Sequence, residues 1–138
     1  MKLVLNANVI FSALLRGRPL SLFIKLKDKG IELITPNFLV EEFLKRKKEL
    51  ANALGISETK LSEAFSELIS KLVRVVPKEK YVKFLIEAKK VSPDKKDTPY
   101  FALSLAFNKA PIWPRGPRLK RQKIVKVLND KEIEKLFL

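Results

Sequence analysis

The chain of 138 residues contains neither cysteine nor histidine. Without cysteine, it has no disulfide framework, no thiol chemistry and no zinc site built on cysteine. Without histidine, it lacks the commonest general base and metal ligand, so any catalysis must use carboxylates, lysine, hydroxyls or a bound ion. Glycine occurs only four times, and the hydrophobic content is 46%. Both values favour an ordered globular protein.

Long apolar runs are also missing from the sequence. No stretch approaches the length of a membrane span, and the N-terminus shows no long apolar segment behind basic residues. We therefore expect an intracellular, cytoplasmic protein without a membrane partner. A chain of this length is expected to fold as a single domain, over residues 1–138, with a core that needs no covalent cross-links.

Acidic residues are scarce relative to basic ones. The 15 Asp and Glu residues stand against 29 Lys and Arg residues, which gives a formal net charge of +14. Such an excess favours a polyanionic partner, because each contact between a basic side chain and a phosphate releases condensed counterions. The charge therefore favours a nucleic acid as the partner without identifying which one. The alternative is a basic surface that only keeps the protein soluble.

Short apolar runs alternate with segments of helical periodicity. The pattern predicts strands at 2–5, 31–35, 73–77, 110–113 and 124–128. It predicts helices at 9–16, 19–29, 36–50, 58–72, 78–90 and 97–108, and a last helix from 130. Gly55 is expected to end the third of these helices, and Ser57 is expected to cap the fourth. Strands that alternate with helices form a parallel sheet covered on both faces. We therefore predict an α/β fold of three layers, α/β/α, around a mostly parallel sheet.

Two short amides, Asn6 and Asn8, lie where the first predicted strand meets the next helix. Among the acids, Glu41 and Glu42 lie on the helix after the second strand, and Asp97 opens the penultimate helix. In an open α/β sheet, ligands bind at the carboxyl edge of the strands. For Asp97 alone, an ordinary helix cap is an equally good interpretation.

These motifs resemble those of the PIN domain family, metal-dependent ribonucleases, over nearly the whole chain. The family usually begins with hydrophobic-Asp-x-Asn-hydrophobic, and this chain has Asn6 where the aspartate is expected and Asn8 at the amide. The resemblance implies that Glu42, or Glu41 as the alternative, supplies the second acid. It implies that Asp97 supplies the third.

The family holds Mg²⁺ or Mn²⁺ on three or four carboxylates. Hard cations prefer oxygen ligands, and a bound ion lowers the pKa of its water and stabilises charge on a phosphodiester. By resemblance, Asn6, Glu42 and Asp97 are the candidate catalytic and metal-binding residues. Asn8 is implied to orient the site, with Ser12 as a hydroxyl beside it. From the residues alone, Asn8 only caps the helix and Ser12 only bonds to a backbone carbonyl.

The site departs from the family pattern in its charge. Asn6 is neutral, and Gly116 and Arg118 stand where further acids are expected after the strand that ends in Trp113. Neutral or basic groups in place of carboxylates weaken divalent binding. We therefore expect weak Mg²⁺ or Mn²⁺ binding and slow or absent cleavage. An engineered inactivating change would explain Asn6, but neither Gly116 nor Arg118.

The densest basic stretch follows Trp113 and is free of acids. It contains Arg115, Arg118, Lys120, Arg121, Lys123 and Lys126. We predict that the first five contact RNA, since arginine binds phosphate in a bidentate way; a solvated loop is the alternative. Trp113 either stacks on a base or, as we favour, ends a core strand. The second basic run, 45–48, is predicted to be a solvated helix face.

The helices carry more apolar surface than a small sheet covers. Candidates for a homodimer face are Leu20, Leu22, Phe23, Leu26, Leu39, Phe43 and Leu44. Dimerisation is implied by the resemblance, and core packing is the default for any one of these residues. The resemblance to toxin ribonucleases of toxin–antitoxin pairs also implies an antitoxin-like protein partner.

Three functions therefore compete. The first is a metal-dependent endoribonuclease, and the second is a catalytically inactive PIN-like module that binds RNA or a protein through its basic loop. The third is a structural subunit. The number of carboxylates favours the second, whereas the family resemblance favours the first.

Overall fold

A four-stranded parallel sheet organises the part of the chain that the computed structural model describes, residues 1–15, 17–113 and 122–138. In the order in which they lie side by side, the strands are β3 (Arg74–Val76), β2 (Glu32–Pro36), β1 (Lys2–Leu5) and β4 (Ile112–Trp113). Strand β1 is apolar because it is covered on both faces, as expected for an inner parallel strand. Leu3 pairs with Leu33 of β2, and Leu5 pairs with Trp113 of β4.

Helices occupy most of the remaining described chain. They are α1 (Ala7–Leu14), α2 (Arg18–Asp28), α3 (Phe38–Leu54), α4 (Glu58–Leu72), α5 (Leu85–Val91), α6 (Thr98–Ala106) and α7 (Asp130–Phe137). The predicted α/β fold, with helices packed on a parallel sheet in three layers, is confirmed. None of the described helices is both long and apolar enough to cross a membrane. The single-domain organisation stays a prediction.

Local sequence signals set several helix ends. Gly55 adopts a left-handed backbone conformation, with φ of 67°, immediately after α3, which glycine does at little cost. The Ser57 hydroxyl accepts a hydrogen bond from the backbone N–H of Lys60 and so caps α4. Asn129 and Glu132 form a reciprocal capping box at the start of α7. The predicted helix end at Gly55 and the cap at Ser57 are confirmed.

The proposed apolar face is mostly core. Leu22, Phe23, Leu26, Leu39 and Phe43 are buried, Leu20 is half-buried, and Leu44 is 63% exposed. Trp113 is fully buried and meets the Phe23 ring edge-on at 5.4 Å between centroids. Its indole N–H donates to Asp130. Trp113 is therefore a core residue, as we favoured, and the alternative prediction that it stacks on a base is wrong.

Two predicted elements differ from the structure. The chain from 124 to 128 forms one isolated bridge, from Val127 to Ile112, instead of a strand. The reason is local, because the Gln122 side chain accepts from two backbone N–H groups and donates to the Val125 carbonyl, which bends the chain. The predicted helix 78–90 begins as two 3-10 turns around Tyr81, whose hydroxyl donates to Asn37 Oδ1 at 2.5 Å.

Candidate active site

Asn6 lies directly beyond the carboxyl end of β1 and is 7% exposed. Its backbone N–H donates to the Trp113 carbonyl at 3.2 Å, which continues the contact between β1 and β4. Its Oδ1 accepts the backbone N–H of Asn8 at 3.0 Å and so caps α1. The amide oxygen therefore has a structural role at the same point where the sequence predicts a metal ligand.

Glu42 lies early on α3 and is half-buried. Its Oε1 accepts a hydrogen bond of 2.5 Å from the hydroxyl of Tyr100 on α6. Tyr100 is 1% exposed, and its hydroxyl also interacts with the backbone of Ala7 at the start of α1. One hydroxyl thus connects three helices at the carboxyl edge of the sheet, beside Asn6. Glu41, the alternative acid, is exposed.

Asp97 is 1% exposed and precedes α6. It occupies the N-cap position of that helix, but its side chain makes no capping hydrogen bond there. Its charge acts on both Glu42 and Tyr100. The structure therefore brings Glu42, Asp97 and the Asn6–Ala7 turn to one region. Among the described residues, no three acidic side chains cluster closely enough to hold a metal ion.

The electrostatics of Glu42 show a negative charge that is only partly compensated. Burial raises the pKa of Glu42, and the charge of Asp97 raises it further, whereas the Tyr100 hydrogen bond, Lys96 and Lys45 lower it. Burial, followed by the Glu42 charge, raises the pKa of Tyr100. Tyr100 therefore stays protonated and acts as a hydrogen-bond donor. A cation beside Glu42 would stabilise the charged form of that carboxylate.

Arg46 is a residue that the sequence analysis missed, because the run 45–48 was predicted to be a solvated face. Its Nη1 donates to Asn8 Oδ1 at 3.4 Å, and its guanidinium lies 5.2 Å from the centre of the Phe11 ring. The available signal was the spacing of four residues from Glu42, which puts both side chains on one face of α3. Tyr100 was missed as well, three residues after Asp97 in sequence.

The remaining site predictions have mixed outcomes. Asn8 is exposed; its backbone N–H donates to the Asn6 side chain, and its Oδ1 accepts from Arg46. Ser12 is half-buried, and its backbone carbonyl accepts the N–H of Gly17. Lys123 is exposed. The other residues predicted to bind RNA, together with Gly116, lie outside the described residues: Arg115, Arg118, Lys120 and Arg121.

Comparison with known proteins supports the fold. A family model described as PIN domain matches residues 4–119. The structure is similar to a chain in the crystal structure of VapBC2 from Rickettsia felis, bound to a DNA fragment from their promoter. The TM-score is 0.73 at 13% identity, and the match covers 94% of this chain and 98% of that chain. At this identity the similarity shows the fold alone. No curated protein matches the sequence.

Proposed function

Because the chain belongs to the PIN domain family, we propose that it is an RNA-directed protein of endoribonuclease ancestry with a weakened metal-dependent hydrolytic site. The observation that carries this proposal is the Tyr100 hydroxyl, which donates to Glu42 and interacts with the Ala7 backbone within reach of the Asp97 charge. Carboxylates from two separate elements thereby share one partly buried region. A solvated surface would give Glu42 no reason for a raised pKa.

The donor set fits a weakly bound hard cation. Magnesium keeps several waters and is commonly held by one or two protein carboxylates, which Glu42 and Asp97 provide. The Asn6 amide oxygen is a neutral third donor, already engaged with the Asn8 N–H. When bound, Mg²⁺ or Mn²⁺ would supply an activated water and stabilise charge on the phosphodiester. The protein's own part is to orient Glu42 through Tyr100 and to concentrate negative charge there.

The test is Mn²⁺ titration and cleavage of a single-stranded RNA by three forms of the protein. The parent protein should bind Mn²⁺ weakly and cleave slowly. Asn6→Asp should strengthen Mn²⁺ binding at least tenfold, because a carboxylate opposes the charge of the ion and an amide does not. Adding Gly116→Asp, where the family expects another acid, should raise cleavage further. Asp97→Asn in the Asn6→Asp background is the control and should abolish the gain.

Two outcomes would count against this proposal in different ways. Fast metal-dependent cleavage by the parent protein, lost in Asp97→Asn, would show that the missing acids matter little. Equal inactivity of all three forms would favour the second candidate, a catalytically inactive PIN-like module that binds RNA or a protein. That candidate is favoured by the lysines, Lys45 and Lys96, whose charges already act on Glu42.

Partners and assembly follow as further proposals from the family resemblance. We propose RNA as the polyanionic partner, on the net charge of +14. An antitoxin-like protein partner and a homodimer rest on analogy with toxin ribonucleases of toxin–antitoxin pairs. A cytoplasmic location rests on the same analogy.

A further inference from the structure

Arg46 is held in place by contacts within α3 and with α1, both in the site region. It lies on α3, one helical turn beyond Glu42. Its guanidinium donates to Asn8 Oδ1 at 3.4 Å and to Glu49 Oε1 at 3.3 Å, and it packs over the ring of Phe11. These contacts fix the direction of a long side chain that a solvated helix face would leave free.

The same guanidinium remains available to a ligand. Its side chain is 40% exposed, and within the described part of the protein these hydrogen bonds engage two of the five N–H donors that arginine carries. Glu49, the acid that pairs with it, is 71% exposed, so solvent screens most of that attraction. Arg46 therefore keeps a positive charge that is oriented and only weakly compensated.

Arg46 lies between the Asn6–Asn8 segment and Glu42. Asn8, its amide partner, is the residue whose backbone N–H is held by Asn6. Glu42 precedes it on the same face of α3. A polyanion that reaches Glu42 and Asp97 must bring strongly negative groups close to two carboxylates, so a neighbouring cation is needed to offset the repulsion. Arg46 is placed to do so.

We propose that Arg46 binds a backbone phosphate of the RNA next to the Glu42 and Asp97 site. This inference rests on the proposed function and deepens it by naming a residue that holds the substrate. The planar guanidinium forms paired hydrogen bonds to a phosphate, which lysine cannot reproduce. The contact is with phosphate, so it adds affinity without selecting a base sequence.

The substitution that tests this should leave the fold intact. An exposed ion pair and one long hydrogen bond contribute little to stability, so Arg46→Gln is expected to keep the melting temperature of the parent protein. Lys48→Gln is the matched control, because Lys48 is exposed on the same helix but two residues away, on another face. Arg46→Lys is the second variant and retains the charge.

The measurement is the affinity of each protein for a single-stranded oligouridylate in EDTA, at several salt concentrations. The slope of log K against log salt should flatten by about 0.7 in Arg46→Gln, the value for one phosphate contact on a single strand. Lys48→Gln should keep the parent slope. Arg46→Lys should keep most of the slope but bind several-fold more weakly, because the paired hydrogen bonds are lost.

The possible failures separate the two proposals. A parent-like slope in Arg46→Gln would overturn the role of Arg46 and leave RNA binding intact. An equal loss in Lys48→Gln would also overturn it, since the charge of the helix would then act diffusely. Parent-like affinity of Arg46→Lys would contradict the paired hydrogen bonds to phosphate. If Arg46→Gln fails to fold, the comparison of Arg46→Lys with the parent protein still tests the proposal. Absence of salt-dependent RNA binding by the parent protein would overturn the proposed function itself.

Discussion

At the scale of a single residue, the Tyr100 hydroxyl orients the side chain of Glu42. Tyr100 is buried, and its hydroxyl donates to Glu42 Oε1. Its ring meets the Phe38 ring edge-on, with 6.4 Å between the centroids. Burial raises the pKa of Tyr100, so the hydroxyl is protonated at neutral pH and remains a donor. A donor to a carboxylate stabilises its charged form, so Tyr100 favours the form of Glu42 that binds a cation.

Removing this hydroxyl should therefore weaken metal binding. We expect Tyr100→Phe, made in the Asn6→Asp background, to lower Mn²⁺ affinity several-fold, because Glu42 loses both its orientation and a stabilising donor. The matched control is Tyr81→Phe, since the Tyr81 hydroxyl is also buried but donates to the Asn37 amide. Calorimetric Mn²⁺ titration of both variants checks this. Equal affinities would assign Tyr100 a purely structural role.

At the scale of elements, α1 begins at the same residue that the site uses. Asn6 caps this helix with its side-chain oxygen, so the position serves folding and chemistry together. We expect Asn6→Ala to lower the free energy of unfolding by about 1 kcal/mol, the usual effect of losing a cap. Asn6→Asp keeps a capping oxygen and should fold normally. Urea denaturation of both variants in EDTA is the measurement, and parent-like stability of Asn6→Ala would contradict the capping role.

The sequence predicted elements well where the signal is local. Gly55 and Ser57 act within their own turns, so the end of α3 and the start of α4 were correctly expected. The 3-10 turns around Tyr81 were not expected, because its hydroxyl donates to Asn37, which is 44 residues away in sequence. The bend at Gln122 was missed because its side chain competes with the strand for backbone groups.

The candidate site shows the same division. Family spacing named Glu42 and Asp97 as candidates, and both act on Tyr100 in the structure. The spacing did not show whether Asp97 is a helix cap or a buried acid. That difference depends on how α3 packs near the start of α6. The contact between Arg46 and Asn8 joins residues 38 positions apart. No local pattern encodes such a contact.

At the scale of the whole molecule, the net charge of +14 acts against the compact state. Ion pairs such as Arg74–Glu32 and Lys71–Glu67 are exposed and offset little of this repulsion. We therefore expect the melting temperature of the free protein to rise with added salt, because salt screens like charges. Sodium chloride and choline chloride should act equally. A fall with salt, or a rise with only one of them, would contradict this explanation.

The place of β1 inside the sheet has a consequence for the order of events during synthesis. Its pairing with β2 needs only residues up to Pro36, but its other edge pairs with Ile112 and Trp113. At ribosomal rates, the 76 residues from 37 to 112 take roughly 4–15 s to add. During that interval an apolar strand has an open edge, which invites pairing with other chains. The Trp113 carbonyl that fixes Asn6 arrives in the same step. The nascent chain therefore passes most of its synthesis without a completed candidate site.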